Sequence, residues 1–238
     1  MIHKPGCSAL SKPSGVTADY VRTMALSLFV DRGFERVSVR ELASAIKVQA
    51  GSLYNHIESK QSLLYDLIEE HESGLLHTLN QCKNACRTPS AALNSYIEAY
   101  VLFQLNNQQT AALARLEIRS LSVDQQNSIK KFRAFYQSYF EEVITSLSKF
   151  NALDNLEVKI AAQGLLEMLN GLAIALSSSP RAHKADHLIE RIQAILLKAI
   201  AGDLPEKSLS SPSSNQTRAT QFRIKPTPNK DTLRKANA

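Results

Sequence analysis

Val48-Gln49-Ala50-Gly51-Ser52-Leu53-Tyr54-Asn55-His56-Ile57, with Lys60 close behind, governs how the rest of the chain is read. The pattern is helical, and its hydrogen-bonding side chains form no catalytic combination. Small residues lead: Ala50, Gly51 and Ser52. A helix entering the major groove of DNA needs such a leading end, so that its backbone can approach the bases. Gln49 and Asn55 carry amides that offer a donor and an acceptor to a base edge. Tyr54, His56 and Lys60 present donors spaced to meet one phosphate strand, which fixes register rather than sequence. Upstream, Ser38-Val39-Arg40-Glu41-Leu42-Ala43 reads as a preceding helix. Ser38 caps it and Glu41, three residues on, completes a capping box. Arg40 can reach a guanine or a phosphate.

Helical patterning extends outward in both directions. Thr17 caps a first helix with Tyr20, Val21, Met24, Ala25, Leu28 and Phe29 on one face, and Gly33 ends it. The third helix covers roughly 50–56, and three short helices with such short links form one small core. Ser59 caps a long fourth helix whose buried stripe is Leu63, Leu64, Leu67, Ile68, His71, Leu75, Leu76 and Leu79. Pro89 suits the first turn of a fifth helix. A sixth runs from about 109 to 120. Asp124 opens a seventh, Asp154 or Asn155 an eighth reaching about Ser178, and a ninth spans about 184–201. Strand-like alternation is scarce, so the fold class is all-α. The expected organisation is a flexible arm over 1–15, a helix-turn-helix domain over 16–62, a helical effector-binding and dimerisation domain over 63–203, and a disordered basic tail over 204–238.

Among 238 residues, 44% are apolar, enough for a core. The net charge of +6 is unevenly spread: +3 over 1–60, −1 over 61–202 and +4 over 203–238. A polyanionic partner for the N-terminal part fits that distribution. Cys7, Cys82 and Cys86 form no disulfide framework, which fits a reducing cytosol. The start of the chain lacks the apolar core of a signal peptide, and no apolar run reads as approaching the ~18 residues of a membrane span. The expected location is cytoplasmic, with no membrane partner.

As a linked set, Ala25 and Phe29, Gly33-Phe34, Ser38-Val39, Leu42-Ala43, Gly51-Ser52-Leu53-Tyr54, His56 and Ser59-Lys60 with Leu63-Leu64 resemble the TetR family of transcriptional regulators over residues 17–68. Beyond residue 70 the likeness is one of helix number and length. The resemblance implies an N-terminal three-helix DNA-binding domain and a C-terminal domain of about six helices. The last two large helices then pack against their copies as a homodimer interface. Tyr54, His56 and Lys60 match the family's phosphate contacts. Arg40, Gln49, Ala50, Ser52 and Asn55 match positions that vary with operator sequence. Val39 stands where the family often has Ser or Thr, Lys47 where the turn usually has Gly, and Ile57 where Phe is usual. In place of Gly, Lys47 costs about 1 kcal/mol if it adopts the left-handed conformation.

The candidate DNA-binding set is therefore Ser38, Arg40, Gln49, Ala50, Gly51, Ser52, Tyr54, Asn55, His56 and Lys60. The fifth and seventh helices line an effector cavity in this architecture. Tyr96, Tyr100, Phe103, Tyr136 and Tyr139, with Gln104, Met168 and Asn170, are the candidates there, on a largely apolar effector; an acyl or acyl-CoA-like molecule is one option. Arg115 and Arg119, one turn apart, could pair with an anionic ligand or with Glu117 and Asp124. Cys82 and Cys86 lie four apart; ordinary thiols are expected and a redox switch is the alternative. His183 and His187 share a face at i and i+4, but nothing nearby completes a metal site. No phosphate loop, nucleophile elbow or metal-binding His-Glu pair appears, so neither an enzyme nor a cofactor is expected. The expected function is a ligand-responsive regulator, a repressor that binds a palindromic double-stranded DNA operator as a dimer. The alternative is a small-molecule-binding helical protein or adaptor that acts without DNA.

Overall fold

The computed structural model describes residues 17–85, 87–147, 153–177, 187 and 189–195. The arm over 1–15, the tail over 204–238, Cys86, His183 and most of the ninth helix lie outside these residues; 189–195 are helical. The described elements are α1 (Ala18–Arg32), α2 (Val39–Ala45), α3 (Ala50–Leu53), α4 (Lys60–Ala85), α5 (Pro89–Asn106), α6 (Gln108–Leu116), a 3-10 turn over Ile118–Ser120, α7 (Val123–Leu147) and α8 (Asn155–Ser177). No strand occurs among them.

Helix boundaries follow local capping chemistry. Thr17 accepts from Tyr20 N at the start of α1, and Gly33 closes it with φ +84. Ser38 and Glu41 form the reciprocal capping box of α2. Lys47 takes φ 61, the left-handed conformation expected for the turn between α2 and α3. α3 is shorter than the pattern suggests: beyond Leu53 the chain continues as tight turns, with His56 N on Leu53 O at 2.9 Å. Ser59 and Ser62 exchange hydrogen bonds ahead of α4. Ser122, not Asp124, opens α7: its hydroxyl accepts from Gln125 N, and Gln125 returns an oxygen to Ser122 N. Asp154 caps α8, accepting from Leu156 N and Glu157 N at 2.8 and 2.7 Å.

Two hydrophobic clusters result, and α4 runs through both. Its first half (Leu63, Leu64, Leu67 and Ile68) packs with Val21, Ala25, Phe29, Leu42, Ile46 and Leu53. Its second half (Leu75 and Leu79) packs with Tyr96, Tyr100, Phe140 and Leu165. The N-terminal cluster also takes in Leu113 and Ala114 of α6, Leu121, and Ile129 of α7. Side chains from beyond residue 62 thus complete the N-terminal cluster. Between the two clusters α4 buries polar groups, His71 and Glu72.

α8 departs from the expectation that no segment is apolar enough to span a membrane: by length and composition it is. Here it is a core helix with a second apolar face. Val158, Ala162, Leu165, Leu166, Leu169, Ala173 and Leu176 are buried, while Leu156 (64%) and Ile160 (62%) stay exposed. Met168 and Ile174 share that exposure, and a Cβ on Gly164 or Gly171 would meet no atom within 4 Å.

Candidate nucleic-acid interface and effector cavity

α3 and the turn after it are held from beneath. Leu53 is fully buried and Ile57 nearly so, among Leu42, Ala43 and Ile46 of α2. That packing turns the remaining side chains outward. Arg40, Gln49, Ser52, Tyr54 and Asn55 are exposed, and Ala50 and His56 half-buried. Tyr54 exposes 54% of its surface, an unusual placement for an aromatic ring in a chain with a well-filled core. A Cβ at Gly51 would meet nothing within 4 Å, so no internal contact requires a glycine there.

Two expected contact residues serve the fold. The Ser38 hydroxyl accepts from Glu41 N as the α2 cap. Lys60 donates through Nζ to Phe34 O and Val37 O, both at 3.0 Å, and lies 4.0 Å from the Phe34 ring centroid. Two of its three N–H groups thus tie the start of α4 to the α1–α2 connection, leaving one for a phosphate.

The α4–α8 half holds a half-open cavity of about 530 Å³, within the range of small-molecule sites. Of the expected effector residues, Tyr100, Gln104, Arg115, Tyr136 and Asn170 line it. The others do not. Tyr96 is buried and stacks on Tyr139, whose ring carries Lys83 Nζ at 5.1 Å. Phe103 faces away, against His71 and Gly74. Arg119 lies on the 3-10 turn outside the cavity, and Met168 on the outer face of α8. Periodicity marked α5 and α7 as apolar but could not say which aromatic belonged to core and which to cavity.

Residues missed at the sequence level dominate the cavity's polar wall. Arg133 donates through Nε and Nη2 to Glu72 Oε1, and through Nη2 to Ala114 O at 3.2 Å. Tyr136 donates to Glu72 Oε2 at 3.2 Å, so both oxygens of a carboxylate only 3% exposed are engaged, while the Arg133 side chain remains 38% exposed. A carboxylate buried this far needs this full set of bonds, because its desolvation offsets much of the attraction to Arg133. Tyr100 donates to Asn170 Oδ1 at 2.8 Å, and burial pushes its hydroxyl up to about 12. Burial also raises Tyr136, reinforced by the Glu72 charge. Thr110 gives its proton to Asn107 O, so the 3.0 Å contact with His71 assigns the proton to His71 Nδ1. Burial, then the nearby Arg133 charge, lowers His71 to about 4, and the ring stays neutral at physiological pH. The sequence signal for this group was a charged residue, Glu72, beside the buried stripe of α4.

Glu117 does not pair with Arg115. Its Oε1 accepts from Phe34 N at 3.1 Å, across 83 residues, and its Oε2 accepts from Ser120 Oγ at 2.8 Å. Gln61 of α4 donates to Ser120 O at 2.8 Å. The end of α6 is thereby fastened to the DNA-binding region on one side and, through Ala114 O and Arg133, to the cavity wall on the other.

Comparison with known proteins identifies the family of the fold. Residues 23–67 match "Bacterial regulatory proteins, tetR family", and residues 86–174 match "Tetracyclin repressor-like, C-terminal domain". The chain belongs to the TetR family of bacterial regulatory proteins. It is similar to the HTH-type transcriptional repressor KstR2 of Mycolicibacterium smegmatis, 26% identical over 81 residues, or 34% of this chain and 40% of that one. The chain thus aligns with about two fifths of that curated relative's length. Its fold resembles that of a tetR-family regulatory protein from Rhodococcus RHA1, with a TM-score of 0.67 at 21% identity over 79% of this chain and 98% of that one. It also resembles AibR, solved in complex with isovaleryl coenzyme A and operator DNA, with a TM-score of 0.61 at 18% identity over 76% of this chain and 96% of that one.

Proposed function

We propose that this protein is a ligand-responsive transcriptional regulator, a repressor that binds a palindromic operator as a homodimer and releases it when a small molecule fills the α4–α8 cavity. The observation that carries the reading is the outward set around α3: Gln49 just before it, Tyr54, Asn55 and His56 just after it, and Arg40 of α2 make no side-chain hydrogen bond to any described residue, and a Cβ at Gly51 would meet nothing within 4 Å. Tyr54 and His56, with the remaining N–H of Lys60, hold the phosphate strand. Gln49, Ser52 and Asn55, helped by Arg40, read base edges. Two copies joined through the exposed apolar face of α8 space the recognition helices for a two-fold site. In this role the protein works in the cytoplasm and needs no catalytic chemistry.

A cavity sharing helices with the DNA-binding core favours allostery over simple ligand storage. An effector that prefers one α6 position over another shifts the spacing of the recognition helices. AibR's complex with an acyl-CoA and operator DNA supports both partners for a protein of this fold. A gel shift on the protein's own upstream DNA at a series of salt concentrations tests the reading. Affinity that falls steeply and linearly on a log–log salt plot is expected. Absence of binding at low salt would favour the alternative, a ligand-binding or adaptor protein acting without DNA.

A further inference from the structure

Hydrogen-bonding capacity in the cavity is unevenly used. Of its acidic groups, Glu72 is taken, accepting from Arg133 and Tyr136, while Glu167 is an exposed carboxylate on α8 that accepts from Gln163 Nε2 through Oε1 at 2.8 Å. Its cationic groups keep free donors. Arg115 is exposed to the cavity and makes no ion pair or side-chain hydrogen bond with any described residue. Arg133 uses Nε and Nη2 but leaves Nη1 without a partner among the described residues. Both residues line the same cavity, and Arg133 Nη2 sits 3.2 Å from the carbonyl of Ala114, the residue just before Arg115. His71 is neutral and adds no charge. What remains is a pair of guanidinium edges with free donors, facing a wall that also contains Ala111, Leu166 and Ile174.

We propose that the effector is a small amphipathic anion, its carboxylate held between Arg115 and the free edge of Arg133 and its apolar body lying against α6 and α8. Planar guanidinium forks match a carboxylate, and charge-assisted bonds of this kind are about twice as strong as neutral ones. This assignment rests on reading the cavity as the effector site. It also names the route of regulation. Arg133 is the group that holds Ala114 O, so an anion that recruits its guanidinium acts directly on the last turn of α6, three residues before Glu117.

A matched pair of fluorescent probes tests it on the full chain: anilinonaphthalene sulfonate, and N-phenyl-naphthylamine, the same ring system without the anion. The sulfonate should saturate the wild-type protein and bind at least about tenfold more tightly than the neutral dye. Arg115→Gln should cost the sulfonate about tenfold and leave the neutral dye within about twofold, with the thermal midpoint of the free protein unchanged, since the Arg115 side chain makes no bond among the described residues. Equal binding of the two dyes, or sulfonate affinity untouched by Arg115→Gln, would overturn the anion assignment while leaving a neutral-ligand cavity standing. Saturable binding of neither dye would overturn both the anion and the effector cavity.

Discussion

His71 carries the clearest titration signature in the molecule. It is 5% exposed, gives its Nδ1 proton to Thr110, and is held at about 4 by burial and by Arg133. The folded state therefore disfavours the imidazolium that the unfolded chain forms below about pH 6.5. Because the unfolded state binds the extra proton, stability is full above that pH and falls as pH drops toward 4. The loss should reach about 2 kcal/mol by pH 5, read as a lower urea midpoint than at pH 7.5, and His71→Gln should remove most of this dependence. Gly51 argues from the opposite side, since nothing inside the protein needs it. Gly51→Ala should raise the stability of the free protein by roughly 0.5–1 kcal/mol, because it reduces the unfolded chain's freedom. Operator affinity should fall in the same variant, because a methyl group then stands between α3 and the bases. A variant that bound DNA as well as the parent would remove Gly51 from the interface.

At the scale of elements, α6 and α4 join the two halves. α6 contributes Leu113 and Ala114 to the N-terminal core and Arg115 to the cavity, and Glu117 just beyond it grips Phe34 N. Glu117→Ala leaves that amide without its partner. The expected cost is roughly 1–3 kcal/mol in unfolding free energy. Ligand-induced operator release should also weaken in this variant, measured as the ratio of operator affinities with and without effector. Unchanged coupling would place the link elsewhere. Helix existence and order were legible in the chain, because apolar residues at 3–4 spacing and caps such as Ser38–Glu41 are local signals. Pairing was not. Arg133–Glu72 spans 61 residues and Glu117–Phe34 spans 83, and a single sequence carries no mark of which distant groups meet. The same limit explains the effector residues: the α5 and α7 stripes show that Tyr96 and Tyr100 both face inward, but the neighbours that put one in the core and the other on the cavity come from α8 and from within α7 itself.

For the whole molecule, the two apolar faces of α8 have different consequences. One completes the C-terminal core; the other, with Leu156, Ile160 and Met168 around the open Gly164, is the face proposed to meet a second copy. Ile160→Glu should convert the protein to monomers in sedimentation equilibrium and weaken operator binding, because one recognition helix then lacks its partner half-site. The exposed set flanking α3 was the most legible feature of the chain, since Gln49, Ser52, Tyr54, Asn55 and His56 lie close in sequence and one small core turns them outward; Lys60 was the exception, its place set by the distant carbonyls of Phe34 and Val37. Selection of bound sequences from random duplex DNA, run in parallel on the wild type and on Asn55→Ala, goes straight to the proposed role. The wild type should enrich a two-fold symmetric site with half-sites about one helical turn apart. Asn55→Ala should enrich a site altered at the same position in both halves. Enrichment of no sequence by the folded wild-type protein would contradict the assignment of α3 as a reader of DNA.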